Sequence, residues 1–486
     1  MSDTPRTLWG SGAAPDEEVF AYTAGGDRDW DARLVGWDIL GSLGHVEGLL
    51  ASGVLSRTAS RELVHGLRAA LDAAEAGTLV MEPGDEDVHT AVERWLTERD
   101  PQAGQRLHTG RSRNEQVALD LRLYLKDRLL FIHDAGVLFA DALLAFAKEH
   151  ERVLWPGYTH QRRAMPSTAG LWAAAYAEGI LDTLEALPAL WSQVDRSPLG
   201  TGAGYGVPLP LDREAAAKAL GFADVVVTSP AAQNARGKIE AAALAWCSQL
   251  GHEVARLAAD AILFAGDEYG FLSVAPELAT GSSLMPHKRN PDVLELTRAR
   301  AAGVDADLSA VLRLKAGLAA GYHRDFQLLK EPLMRGLDRT REMLAMSARA
   351  VGAMEVDQVR ARIALAGGPL ATDEVIRLVE EGEPFRSAYR RVAGDAARGA
   401  QFPVPADRDI LARRKALGSP GNPGIPRLKP RLAACRRWGA AERKRFAAAM
   451  ARLAGRGSSA RKSPAPRKPR AKTRKAVRKP RGGKRR

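Results

Sequence analysis

Apolar residues recur at three- and four-residue intervals along most of the chain. Between 58 and 75, Leu63, Val64, Leu67, Leu71 and Ala74 share one face, the spacing of an amphipathic helix. The same period persists for more than thirty residues over 116–148, and Ala- and Leu-rich stretches at 168–192, 231–266 and 291–318 repeat it. Helical patterns longer than about 25 residues predict bundle packing. Strand signals are sparse, Val225, Val226 and Val227 being the best of them. The pattern therefore predicts an all-α subunit. An N-terminal helical domain is expected at 1–105, a long-helix bundle at 106–354, and a C-terminal helical domain at 355–454, interrupted near 418–426 by a Pro/Gly-rich loop.

Composition narrows the class. At 486 residues the chain has the length of about three ordinary domains, or of one large long-helix subunit. No uncharged apolar run reaches the roughly 18 residues of a membrane span, which argues against an integral membrane protein. The opening MSDTPRTLWG lacks the apolar core of a secretory signal. Two cysteines, Cys247 and Cys435, make neither a disulfide framework nor a metal cluster, so a reduced, cytoplasmic protein is expected.

The net charge of +13 suggests a nucleic-acid binder until it is located. Fifteen Lys and Arg and no acid lie from Arg456 onward, which takes the +13 of the whole chain down to −2 for residues 1–455. The tail at 455–486 is rich in Pro, Gly and Ser without an aromatic, and is expected to be disordered. It is either a solvated extension or a non-specific contact to nucleic acid or an acidic partner by counterion release; for the main function the solvated reading is adopted.

Four polar, Gly- and Pro-rich connectors interrupt the helices: RLHTGRSRNEQ (106–116), WPGYTHQRRAMP (155–166), SPLGTGAGYGVPLPLDR (197–213) and ATGSSLMPHKRNPD (279–292). Loops on a rigid scaffold are where chemistry usually sits, so an enzyme is expected. In the last of them, Asn290, Pro291 and Asp292 read as N-cap, first helical residue and first-turn acid, beside Lys288 and Arg289. That is either a capped helix with a basic loop or a carboxylate site. A serine there acts as a base only if amides and cations stabilise its alkoxide. Ser112 or Asn114 could cap the next helix, while Arg111 and Arg113 could hold a carboxylate. His160 is an ordinary turn histidine unless a carboxylate such as Glu295 orients it. Tyr322, Gln327 and Lys330 either line a polar pocket or face solvent.

Together these segments carry a resemblance. GSSLMPHKRNP is similar to the GSSxMPxKxNP loop of the fumarase/aspartase superfamily. HTGRSRNEQ, PGYTHQRRA, SPLGTGAGYGVPLPLDR, YHRDFQLLKEPL, LWGSG, DILGSLGHVEGLL and EDVHTAVE resemble the argininosuccinate lyase branch, over roughly residues 7–400. The resemblance implies a fumarase/aspartase-type subunit that assembles as a homotetramer with each site shared by three subunits. It implies anti β-elimination of argininosuccinate to L-arginine and fumarate, in arginine biosynthesis, without a cofactor or metal. It makes Ser282 the base that removes the Cβ proton. Lys288 and Asn290 become the stabilisers of the carbanion, and His160, partnered by Glu295, serves the leaving-group side. Ser112, Arg113, Asn114, Thr159, Tyr322, Gln327, Lys330 and Arg236 match substrate-binding positions, and Asp87 and His89 fall in a segment near the site.

The chain departs from the family pattern at Arg162 and Met165 in the histidine loop, at Val92, and at 231–238, where AAQNARGK stands. The N-terminal substrate segment reads TAGGDRDWD (23–31) with no serine to carry over. These changes bear on fine specificity more than on elimination. The competing readings are a fumarate-releasing lyase acting on adenylosuccinate and a crystallin-like scaffold without activity. The Tyr322–Lys330 spacing and HTGRSRN weigh against the first, and the joint presence of Ser282, Lys288, Asn290, His160 and Glu295 against the second.

Overall fold

The computed structural model describes residues 16–82 and 84–457, so the motif at 8–12 and the tail from 458 onward lie outside the described residues. The architecture is all-α. Its axis is the helix Arg113–Glu149, where every residue from Ala118 to Lys126 is buried. A helix buried on all sides must be surrounded. Ala169–Val194, Lys238–Ala265, Asp292–Leu314 and Lys330–Gly352 supply the surrounding bundle. One 18-residue stretch of the central helix reaches a mean hydropathy of 1.8, long and apolar enough to cross a membrane, but most of that stretch is packed inside the bundle.

Local chemistry fixes where the helices begin. Ser112 caps the central helix in a capping box: its Oγ accepts from Asn114 N at 3.3 Å, while Glu115 Oε1 accepts from Ser112 N at 3.1 Å. Thr168 caps Ala169–Val194 through Leu171 N, and Asp87 caps Val88–Arg99 through Thr90 N. Asp292–Leu314 starts later than the sequence suggests. Pro291 occupies the cap position, and Asn290 is drawn into a two-residue strand opposite Thr280. The expected helix at 231–266 is split, because Gly237 takes φ 74° and separates Ser229–Asn234 from Lys238–Ala265. The valine run at 225–227 yields only a two-residue strand, paired with Arg196–Ser197.

Residues Leu154–Thr159 and Arg162–Thr168 form an antiparallel hairpin, with Tyr158 opposite Arg163 and Thr159 opposite Arg162. Tyr158 packs against Phe264, Tyr269 and Phe271 at the far end of Lys238–Ala265. A small second core, including Leu365, Leu370, Leu378, Val392 and Ile410, sits beyond it. The last helix, Ile425–Leu453, returns to pack on the main bundle. Arg456, the first basic residue of the tail, pairs with Asp72 at 2.6 Å and with Glu75 at 2.9 Å.

One buried ion cluster ties that last helix down. Lys126, fully enclosed within the central helix, donates to Asp195 and to Gly221 O (2.7 Å) beneath the rings of Trp191, Phe222 and Phe446. The second oxygen of Asp195 receives Arg445 from the last helix. Removing one member of such a cluster leaves an uncompensated charge, which costs roughly 3–5 kcal/mol. Asp195→Ala should therefore lower the urea midpoint strongly, and Lys126→Met added to it should recover part of the loss. Equal midpoints for Asp195→Ala and the unaltered protein would contradict this role.

Candidate active site

The bundle sorts the candidate residues into two groups at its opposite ends. At one end lie the start of the central helix, with Arg113 and Asn114, and the residues around it. Arg113 is half-buried and donates to Glu86 (2.9 Å) and Thr90 Oγ (3.0 Å), with Asp87 Oδ2 at 3.0 Å. Glu86 also receives Arg324 at 3.0 Å. Gln327 donates to Thr23 O at 2.8 Å, and Lys330 to Asp27 at 2.7 Å and Asp31 at 2.5 Å. Arg236 joins the same wall through Phe326 O. Tyr322 stacks edge-on with Phe326. Glu115, behind Ser112, accepts Gly202 N at 2.8 Å, so the glycine-rich 197–213 loop is anchored to the same helix start.

At the other end lie the hairpin tip and the 280–290 loop. Thr159 and His160 are exposed, and His160 and Gln161 hold φ of 52° and 57° at the turn. Two consecutive non-glycine residues in the left-handed region mark a conformation maintained at local cost, as functional loops often are. Gly281 pairs with Arg289 and Thr280 with Asn290, so the segment 282–288 projects as a closed loop. Ser282 sits at its root, with Oγ accepting from Met285 N at 3.0 Å and Leu284 N at 3.3 Å. Those two amides point at the oxygen that a base would carry as an alkoxide. Lys288 is exposed six residues further on, and Glu295 is exposed in the first turn of Asp292–Leu314. Among the described residues, no hydrogen bond or ion pair joins His160 to Glu295.

The distance between the two groups follows from helix length. At 1.5 Å per residue, the 37-residue central helix spans about 55 Å from Arg113 to the hairpin. Lys238–Ala265, with 28 residues, carries Arg236 about 42 Å from the serine loop. Asp292–Leu314, with 23, carries Asn290 about 35 Å from Tyr322. A single chain thus brings Arg113, Asp87, Arg236, Gln327 and Lys330 together, and Thr159, His160, Ser282, Lys288, Asn290 and Glu295 towards the other end, but not the two sets to each other.

Lys330 and His89 differ most from the sequence picture. Lys330 is buried between two carboxylates rather than presented as a bare cation; burial alone would lower its pKa, and the acids overturn that and raise it. His89 faces inward, with Nδ1 at 2.8 Å from Asp38 and 3.8 Å from Asp120. Burial disfavours its charged form, but Asp38, with Asp87 and Asp120 behind it, prevails and lifts it to about 9. Burial and the neighbouring Asp38 charge push the Asp120 carboxyl well up. Asp38, His89 and Asp120 are close enough to hold a metal ion. His89 Nδ1 is already hydrogen-bonded to Asp38, however, and the buried Arg111 guanidinium acts on both acids, so the group reads as an internal ion cluster. Asp27, Asp31, Asp38 and Asp120 were not signalled by the sequence because their partners lie 31 to 303 residues away.

A family model described as lyase matches residues 31–305. The argininosuccinate lyase of Sorangium cellulosum is 42% identical over 425 residues, covering 87% of this chain and 98% of that one. That of Thermotoga neapolitana is 40% identical over 386 residues, covering 79% and 97%. This chain belongs to the argininosuccinate lyase family. Among solved structures, an EDDS lyase in complex with formate superposes with a TM-score of 0.76 at 24% identity, over 87% of this chain and 91% of that one. A class II fumarase from Schistosoma mansoni superposes at 0.68 and 14%, over 82% and 93%, so the argininosuccinate lyase family shares its fold with it.

The His89 cluster generates a stability prediction. A pKa raised in the folded state adds stability that is complete below the ordinary value near 6.5 and is lost as the pH climbs through about 9. His89→Gln should cost roughly 3–5 kcal/mol at pH 6, by stranding Asp38 and Asp120, and much less at pH 10. Urea midpoints measured across that range test it; a deficit independent of pH would rule out the charged imidazole.

Proposed function

We propose that the protein cleaves argininosuccinate to L-arginine and fumarate by anti β-elimination, in a site completed by neighbouring copies of the same chain. Membership of the argininosuccinate lyase family supports the substrate, and the observation that carries the chemistry is the cradle around Ser282. A proton β to the departing nitrogen and α to a carboxylate is weakly acidic, so its removal builds a doubly charged aci-carboxylate. In this reading Ser282 takes that proton as an alkoxide supported by the Leu284 and Met285 amides. Lys288 and Asn290 then face the charge that develops on the carboxylate. His160, oriented by Glu295 of another copy, serves the departing guanidinium, which leaves with a proton. Arg113, Asn114 and the positive end of the central helix hold the remaining carboxylate.

Two features support assembly. The two groups of site residues lie at opposite ends of the bundle, so antiparallel packing of two copies would bring the serine loop of one to the Arg113 end of the other. Leu284 is 85% exposed at the tip of the catalytic loop, and Leu138, Leu296 and Leu312 are exposed along bundle helices, surface that a neighbouring bundle would cover. A homotetramer acting in arginine biosynthesis in the cytoplasm is the form we propose.

The purified protein should release fumarate from argininosuccinate, read by its ultraviolet absorbance. Ser282→Ala should reduce kcat by a factor of about a thousand or more, the scale of losing an essential base, with the assembled state unchanged. Fumarate release from adenylosuccinate alone, or near-normal turnover by Ser282→Ala, would overturn the reading.

A further inference from the structure

The hairpin that carries His160 has a second neighbour. Between it, the end of Lys238–Ala265 and the second core lies a cavity of about 770 Å³, within the size range of small-molecule sites. Tyr158, Arg162 and Arg163 line it from the hairpin, Tyr269 and Phe271 from the bundle, and Arg360 from the helix Gln358–Ile363. Thr159 and His160 are not among its lining residues, so the cavity stands beside the reactive tip of the hairpin and not within it.

Its charge is one-sided. Three guanidiniums face one carboxylate, that of Glu268, which leaves two positive charges in excess. Each guanidinium has donors to spare. Arg163 is held by one bond, Nη1 to Ala364 O at 2.8 Å, which also joins the hairpin to the second core. Arg360 stands 3.7 Å from Asp357 through Nε, beyond hydrogen-bonding distance. Its guanidinium lies over Gly270, where φ is 60° and a Cβ would collide with Nη1. Among the described residues, the Arg162 side chain has no ion pair and no hydrogen bond. Arg162 is also a position at which the chain leaves the family pattern.

The opposite wall is apolar. Tyr158 packs edge-on against Tyr269 with ring centres 5.7 Å apart, and Tyr269 against Phe271 at 5.8 Å. Pro369 and Ile363 complete the rim, Ile363 being 68% exposed. A small inorganic anion would meet the arginines and leave this wall wet. A ligand that joins a flat ring to phosphate groups would use both.

We propose that this cavity binds a nucleotide, with its phosphates on Arg162 and Arg360 and its ring along Tyr158 and Tyr269. Guanidinium forks match phosphate oxygens in pairs, which an isolated ammonium does not. Arg162 follows His160 by two residues, so an occupied cavity ties the turn bearing His160 to the second core. The proposal is independent of the argininosuccinate reading, because none of its contacts belongs to the Ser282 or Arg113 groups.

Hydrogen exchange read by mass spectrometry on the whole protein tests it, since separate peptides report the cavity and the basic tail. At physiological ionic strength, exposed contacts to the tail are screened. ATP and inorganic triphosphate should each slow exchange in 155–168 and 358–370, ATP at a concentration about tenfold lower, and adenosine should slow neither. Arg360→Gln, which leaves the hairpin untouched, and Arg162→Gln should each weaken the ATP effect about tenfold with unchanged urea midpoints. Protection that is absent from these segments or confined to the tail overturns the proposal. So does equal potency of ATP and triphosphate, protection by adenosine alone, or undiminished protection in either variant.

Discussion

A long rigid helix governs this structure. The central helix is enclosed on every side from Ala118 to Lys126 and packed along its length, and it sets the spacing between the residues it carries at its start and the hairpin that follows its end. Two other helices repeat the constraint, separating Arg236 from the serine loop and Asn290 from Tyr322. The chain thus behaves as a strut bearing complementary half-sites. Such a design gives precise positioning, because each half-site, loop or helix start, is anchored at the end of a packed helix. Under the proposed shared site, catalysis depends on association.

The two ends are built differently. The Arg113 end is a preformed, densely charged wall, in which Arg113, Glu86, Arg324, Lys330, Asp27 and Asp31 already satisfy one another. The serine end is a projecting loop whose apolar residues, Leu284 above all, meet solvent in the single chain. A preformed binding wall and a projecting reactive arm suit a reaction in which charge must be excluded from water only once the substrate is in place. Behind the wall, the Asp38–His89–Asp120 cluster and Arg111 carry charge into the core and hold the helix starts in register.

Much of this was legible in the sequence. Helical periodicity located four of the five bundle helices, 231–266 with a start seven residues early, because their buried faces are wide and regular; Lys330–Gly352 was not picked out. The serine loop and the Arg113 segment could be read through their resemblance to family motifs; on residue types alone each stayed open between a capped helix and a carboxylate site. What escaped was long-range. Nothing near Lys330 announces that Asp27 and Asp31, some three hundred residues earlier, will enclose it. His89 was expected near substrate; its side chain is buried against Asp38, a partner that a lone histidine in a helix does not disclose. Asn290 resembled a helix cap, but pairing with Thr280 competes for the same backbone and prevails. The start of the basic tail was expected to be free, yet Arg456 finds acids on Arg57–Ala76.

The most direct test of the shared site is subunit mixing. Ser282→Ala disables one end of the chain and Asn114→Ala the other, and each protein alone should be nearly inactive. Unfolded together and refolded, they should form mixed assemblies in which some sites draw an intact serine loop and an intact Arg113 end from different chains, and fumarate production should rise far above the sum of the separate proteins. Mixed assemblies that form, as seen by native mass spectrometry, but stay at that sum would contradict the account.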